Sequence, residues 1–182
     1  ITNSYSSPSV AENNPTTILV KVSHVAARLD FSQFDVTLKG FEGNPTVVFD
    51  EAKFVNLQQN GKIVEGDASV NVKDGAFLNR SNRIGTRWTD MGTAYGYANQ
   101  YRQDSEMNTA LYVKFTVDGR TFEKTYPINP AGITKEVDHN GIKGGYLYDI
   151  KVRWTITPDW GDSTIEFYTR DWVHNSIPEI VL

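Results

Sequence analysis

Residues 144–157 read GGYLYDIKVRWTIT, and no other stretch constrains the fold as tightly. Tyr146, Tyr148, Ile150, Val152, Trp154 and Ile156 take every second position, with Leu147, Asp149, Lys151, Arg153, Thr155 and Thr157 between them. A strand sends alternate side chains to opposite faces, so this spacing makes one apolar face and one mostly wettable face. A helix would scatter the same aromatics round its circumference. Tyr, Ile, Val, Trp and Thr also suit a pleated, half-buried surface. Two glycines open the run, and Pro158, Asp159 and Gly161 close it with turn chemistry. Residues 163–169 (STIEFYT) then alternate again, Ile165 and Phe167 against Glu166 and Tyr168. The spacing predicts a hairpin of two long strands with Trp154 in the core, packed against Ile165 or Phe167.

Residues 1–17 are rich in Ser, Asn, Pro and Thr and are expected to form a flexible leader. A β domain is expected over 18–176, followed by an extended tail at 177–182. Ile18, Val20 and Val22 alternate, and Val25, Ala27, Leu29 and Phe31 continue on the opposite parity, which predicts a bulge or kink near His24. Phe34, Val36 and Leu38 change parity once more. Val47, Phe49, Phe54, Val55 and Leu57 mark a strand that ends at Asn60-Gly61, and Val70 and Val72 mark a short one. Leu111, Val113, Phe115 and Val117 run into Asp118-Gly119 and out through Phe122 and Tyr126. That is a hairpin signal, because Asp-Gly tolerates the positive φ of a tight turn. No segment carries a helical period. The fold class is therefore all-β, an antiparallel β-sandwich. Residues 77–108 show no sustained alternation and read as a long loop rich in aromatics and Arg, about half of it open to a strand assignment.

With 182 residues the chain is long enough to bury a core. A net charge of −4 and a pI near 5.4 leave no basic footprint for nucleic acid. No apolar run reaches the length of a transmembrane helix. Cysteine is absent, which excludes disulfides, zinc thiolates and thiol nucleophiles and leaves the compartment open. Ile1 stands first in place of Met, so a processed or trimmed chain is expected.

Catalytic chemistry has little to build on. His24, His139 and His174 are far apart and without metal-ligand spacing, and G-x-S-x-G, P-loop and H-E-x-x-H patterns are missing. Asp138, His139, Asn140 and Gly141 resemble the start of a calcium loop but lack its distal Glu, so a turn is expected there. Asp159 and Asp162 flank Trp160 in a turn and read as turn formers. The chain is expected to be no enzyme and to use no metal and no cofactor. Trp88, Tyr95, Tyr97 and Tyr101, beside several Arg residues, have two readings: a platform that stacks on sugar rings, or plugs for the open ends of the sandwich.

Three stretches in order carry a family resemblance: VSHVAARLDF at 22–31, the following FEGNPTVVFDEAKFVNL, and the closing GGYLYDIKVRWTITPDW with IEFYTRDWV. Together they resemble the fimbrillin family of the Bacteroidales, the type V pilins with their tip and anchor relatives. The likeness covers 18–57 and 111–173. Family members carry more sheet ahead of the Ala-Ala-Arg strand than residues 1–17 supply. The resemblance implies a transthyretin-like sandwich subunit, made as a lipoprotein precursor, exported, trimmed by a protease and polymerised by donor-strand exchange at the cell surface. The function expected from it is a structural or adhesive subunit of a bacterial fimbria. Its expected partners are other fimbrial subunits and a surface glycan or protein. The alternative is a secreted carbohydrate-binding β-sandwich module. In the tail, Pro178 forbids helix, and Ile177, Ile180, Val181 and Leu182 form an apolar extended segment. Ile180 and Leu182 have the spacing of two that strand addition needs.

Overall fold

The computed structural model describes residues 25–61, 71–79, 83–99, 106–129 and 141–171. Its elements are β1 (Ala26–Leu38), β2 (Val47–Val55), β3 (Leu57–Gln58), β4 (Val72–Lys73), β5 (Phe77–Asn79) and β6 (Arg83–Ile84), then β7 (Arg87–Tyr97), β8 (Ala110–Val117), β9 (Arg120–Pro127), β10 (Tyr146–Ile156) and β11 (Gly161–Asp171). Among the described residues there is no helix. One sheet has the order β11-β10-β1-β7; the second runs β5-β2-β8-β9 with β6 also on β2, and β3 and β4 form a separate small ladder.

The closing hairpin is as the alternation requires. Tyr148, Ile150, Val152, Trp154 and Ile156 are buried, and β10 pairs antiparallel with β11 from Tyr146↔Asp171 to Ile156↔Gly161. The β8–β9 hairpin turns at Asp118 and Gly119, whose φ values of 46° and 80° are both positive, the geometry a two-residue primed turn demands. The parity change in β1 is a bulge. Pairing with both neighbours skips Ser32, so Leu29 and Phe31 before it and Phe34 and Val36 after it all face inward. A register shift between Phe49 and Glu51 does the same for β2, leaving Phe49, Ala52 and Phe54 inside. Asn56, with φ 55°, separates β2 from β3, so the run from Val47 to Leu57 is two strands where the spacing predicts one.

The inner faces meet through aromatic rings. Phe34 on β1 packs on Phe49 of β2 and Phe115 of β8, each 5.3 Å between centroids. Trp154 lies edge-on to Phe115 at 5.1 Å and near Phe122 at 6.0 Å. Its partners thus come from the facing sheet. The Ile165 and Phe167 side chains, expected beside it, lie outside the described set.

One pair departs from the otherwise antiparallel sandwich: β1 and β10 pair in parallel, because the chain returns to β1's flank in the same direction after building the second sheet. Residues 77–108 contain β5, β6 and the long β7, so about half of the stretch is strand, the share open to a strand assignment from the sequence. The leader at 1–17, the parity change near His24 and the tail at 177–182 lie outside the described residues.

Candidate functional site

Of the four expected ligand-contact residues, Trp88 is a core residue. It is 3% exposed and packs on Phe34 at 5.3 Å and Phe49 at 5.7 Å, which joins the two sheets. Tyr97 is half-buried, its ring so close to Gly61 that a Cβ there would come within 2.1 Å of Cδ1. Tyr95 is 58% exposed and sits opposite Arg28 on the outer face. Tyr101 and the tail residues Ile177, Ile180, Val181 and Leu182 lie outside the described residues. Trp88 and Tyr95 therefore point to opposite faces of β7 and do not share a platform.

The outer face of the first sheet brings together residues that sequence spacing could not connect. Directly paired residues project to the same side, so the ladders set them out in rows. Thr93, Asp30, Asp149 and Tyr168 form one row across all four strands; Thr89, Gln33, Lys151 and Glu166 form the next. Asp30 accepts hydrogen bonds from Arg28 Nε at 2.9 Å and Thr93 Oγ1 at 2.7 Å. Asp149 accepts from the Ser32 hydroxyl, which the bulge exposes on this face, and Gln33 donates to Asp35. Arg153 pairs with Glu166 and lies 3.7 Å from Asp35, and Arg87 approaches Asp35 at 3.6 Å. Lys151 Nζ stands 4.7 Å from the centroid of Tyr168, which is 52% exposed. The hydrogen bond to Asp30, and then its charge, hold the Arg28 guanidinium above its usual range.

A second feature lies along the end strand of this sheet among the described residues. Strand β7 ends the sheet order, and beside it runs a groove of about 480 Å³ lined by Leu57, Asp74, Leu78, Gly92, Ala94 and Tyr95. Gly92, with φ 143°, is where β5 comes closest: a Cβ there would lie 2.9 Å from Leu78 Cβ. At the rim Asp74 accepts from Lys53 at 2.8 Å, and that bond lowers its pKa. Among the described residues, no group of three or more His, Cys, Asp or Glu could hold a metal. Among the described residues, no helix is long and apolar enough to cross a membrane.

No protein-family model matches the chain, and no curated protein does. Solved structures do. A candidate cell adhesion protein from Parabacteroides distasonis superposes with a TM-score of 0.61 at 20% identity, over 82% of this chain and 52% of that one. This chain shares its fold. A candidate cell adhesion protein from Bacteroides eggerthii matches with a TM-score of 0.49 at 15% identity, over 82% and 56% of the two chains. The tip fimbrial protein Mfa3 from Porphyromonas gingivalis matches at 0.43 and 13%, over 82% and 52%. The chain thus spans about half the length of the structures it matches. These neighbours are candidate cell adhesion proteins and a tip fimbrial protein of Bacteroidales, the group whose fimbrillin family the sequence resembles.

Proposed function

We propose that this chain is a structural or adhesive subunit of a bacterial cell-surface fimbria, non-enzymatic and joined to its neighbours by donor-strand exchange. The observation that carries the reading is the fold shared with the Parabacteroides adhesion protein, taken with the three stretches that resemble fimbrillins. The place of β7 at the end of its sheet among the described residues supports the mode of assembly. An edge strand offers N–H and C=O groups for pairing, and strand addition also needs room for alternate side chains, which the groove beside β7 would have to supply in this reading. The apolar segment of Ile177, Ile180, Val181 and Leu182 is the donor in this reading. At about 25 cal/mol per Å2 of apolar surface, its burial in a neighbour contributes several kcal/mol per junction. Export as a lipoprotein precursor and residence at the cell surface belong to the same proposal.

Deletion of residues 177–182 tests the assembly step. The expected outcome is a folded monomer that no longer forms fibres under conditions where the processed full chain does. Fibres from the deletion variant would refute strand exchange through this tail, and an unfolded variant would show that the tail completes its own sandwich.

A further inference from the structure

The outer face of the β11-β10-β1-β7 sheet combines three properties that a merely solvated sheet face does not require together. First, two large aromatic rings stand exposed on it, Tyr95 on one edge strand and Tyr168 on the other, 58% and 52% exposed. With strands about 4.8 Å apart, the two edge strands are about 14 Å apart. Second, the ground between the rings is dense in fixed hydrogen-bonding groups. Asp30 is held by Arg28 and Thr93, and Asp149 by Ser32, yet each carboxylate has lone pairs to spare. Gln33 and Lys151 stand in the neighbouring row. Third, the described charges in the paired rows from Arg28 to Asp35 balance: Arg28, Arg87, Lys151 and Arg153 stand against Asp30, Asp35, Asp149 and Glu166. Arg28 is paired with Asp30, Arg153 with Glu166 and Asp35, Arg87 with Asp35, and Lys151 lies over the Tyr168 ring.

Internally neutralised charge is complementary to an uncharged partner and gives no field to steer an acidic or basic one. Aromatic rings flanking anchored carboxylates and amides match alternating C–H faces and hydroxyl groups, the surface of a sugar chain. We propose that this face binds a neutral oligosaccharide laid across the strands, stacked on Tyr95 and Tyr168 and hydrogen-bonded to Asp30, Asp149 and Gln33. The inference gives the adhesive reading a ligand class but does not depend on polymerisation, because every group it uses belongs to one folded chain.

The test is an array of neutral oligosaccharides, printed beside sialylated and sulfated ones, probed with the full chain and with Tyr95→Ala, Tyr168→Ala and Trp160→Ala. Trp160 is 61% exposed but lies in the β10–β11 turn and controls for non-specific aromatic stickiness. The expected result is binding to neutral glycans that falls at least ten-fold in each tyrosine variant and is unchanged in Trp160→Ala, with circular dichroism of all three like the parent. Absence of neutral-glycan binding, binding confined to acidic glycans, or binding lost only in Trp160→Ala would overturn it. Glycan binding by a chain that forms no fibres would leave this proposal standing and remove the fimbrial one; fibres without glycan binding would do the reverse.

Discussion

Truncation of Trp154 to Ala probes the joint between the two sheets. The indole is 6% exposed and lies 5.1 Å from Phe115 and 6.0 Å from Phe122, edge-on to both. Phe115 in turn packs on Phe34 and stacks on Phe122, so the cavity would open in the middle of a ring cluster that cannot collapse without moving a strand. Loss of a buried Trp costs about 3–5 kcal/mol, and this rigid surround places it in the upper half of that range. Against a total of about 5–15 kcal/mol, that is a large part of the stability. With a urea slope of about 2–3 kcal/mol/M, the midpoint should fall by about 1.3–2.5 M. Arg153→Ala is the matched control. It is the next residue, on the opposite face, half exposed and bridged to Glu166, and its loss should cost no more than about 1 kcal/mol. Equilibrium unfolding followed by fluorescence and circular dichroism reads both. An unchanged midpoint in Trp154→Ala, or a larger loss in Arg153→Ala, would mean that β10 presents the other face to the core.

Gly92→Ala should destabilise by about 1–3 kcal/mol in the same assay, since its Cβ would lie 2.9 Å from Leu78 Cβ and 3.3 Å from the Leu78 carbonyl oxygen; a neutral result would mean that β5 does not press on β7. Gly119→Ala, at φ 80° in open space, should cost about 1–2 kcal/mol from backbone strain alone, and stability equal to the parent would contradict the positive-φ turn. Burial pushes the Tyr112 and Tyr126 hydroxyls up to about 12 and raises Tyr148 as well. An unfolded tyrosine titrates near about 10, so above that pH the unfolded state binds fewer protons than the native one and stability falls with rising pH. Stability should therefore be level below about pH 10 and decline between about pH 10 and 12. Stability unchanged over that range would contradict the raised hydroxyls.

The closing hairpin was legible because β10 alternates for its whole length, and β8–β9 because Asp118-Gly119 is a turn with a mechanism. The parity change after Phe31 announced the Ser32 bulge for the same reason: a strand that keeps one face buried can change parity only by inserting a residue. Strand β7 was hidden by its own bulge. Trp88, Met91, Ala94 and Gly96 face the interior at intervals of three, three and two, because Asp90 takes φ 53° and Met91 fills the extra position. Half of those inward residues are also too small to register as apolar. Trp88 consequently read as a loop aromatic. The parallel pairing of β1 with β10 was out of reach, since no local pattern records which distant strand lies alongside another. The outer face was hidden by the same topology. Asp30, Thr93, Asp149 and Tyr168 are single polar or aromatic residues on four strands, and only the ladder makes them a row.

Immunogold electron microscopy of cells that produce this protein, with an antibody against the described β domain, addresses the central claim. The account predicts gold along surface filaments or at their tips, on intact cells. Gold confined to the cell interior, or released with soluble protein while filaments stay unlabelled, would contradict it.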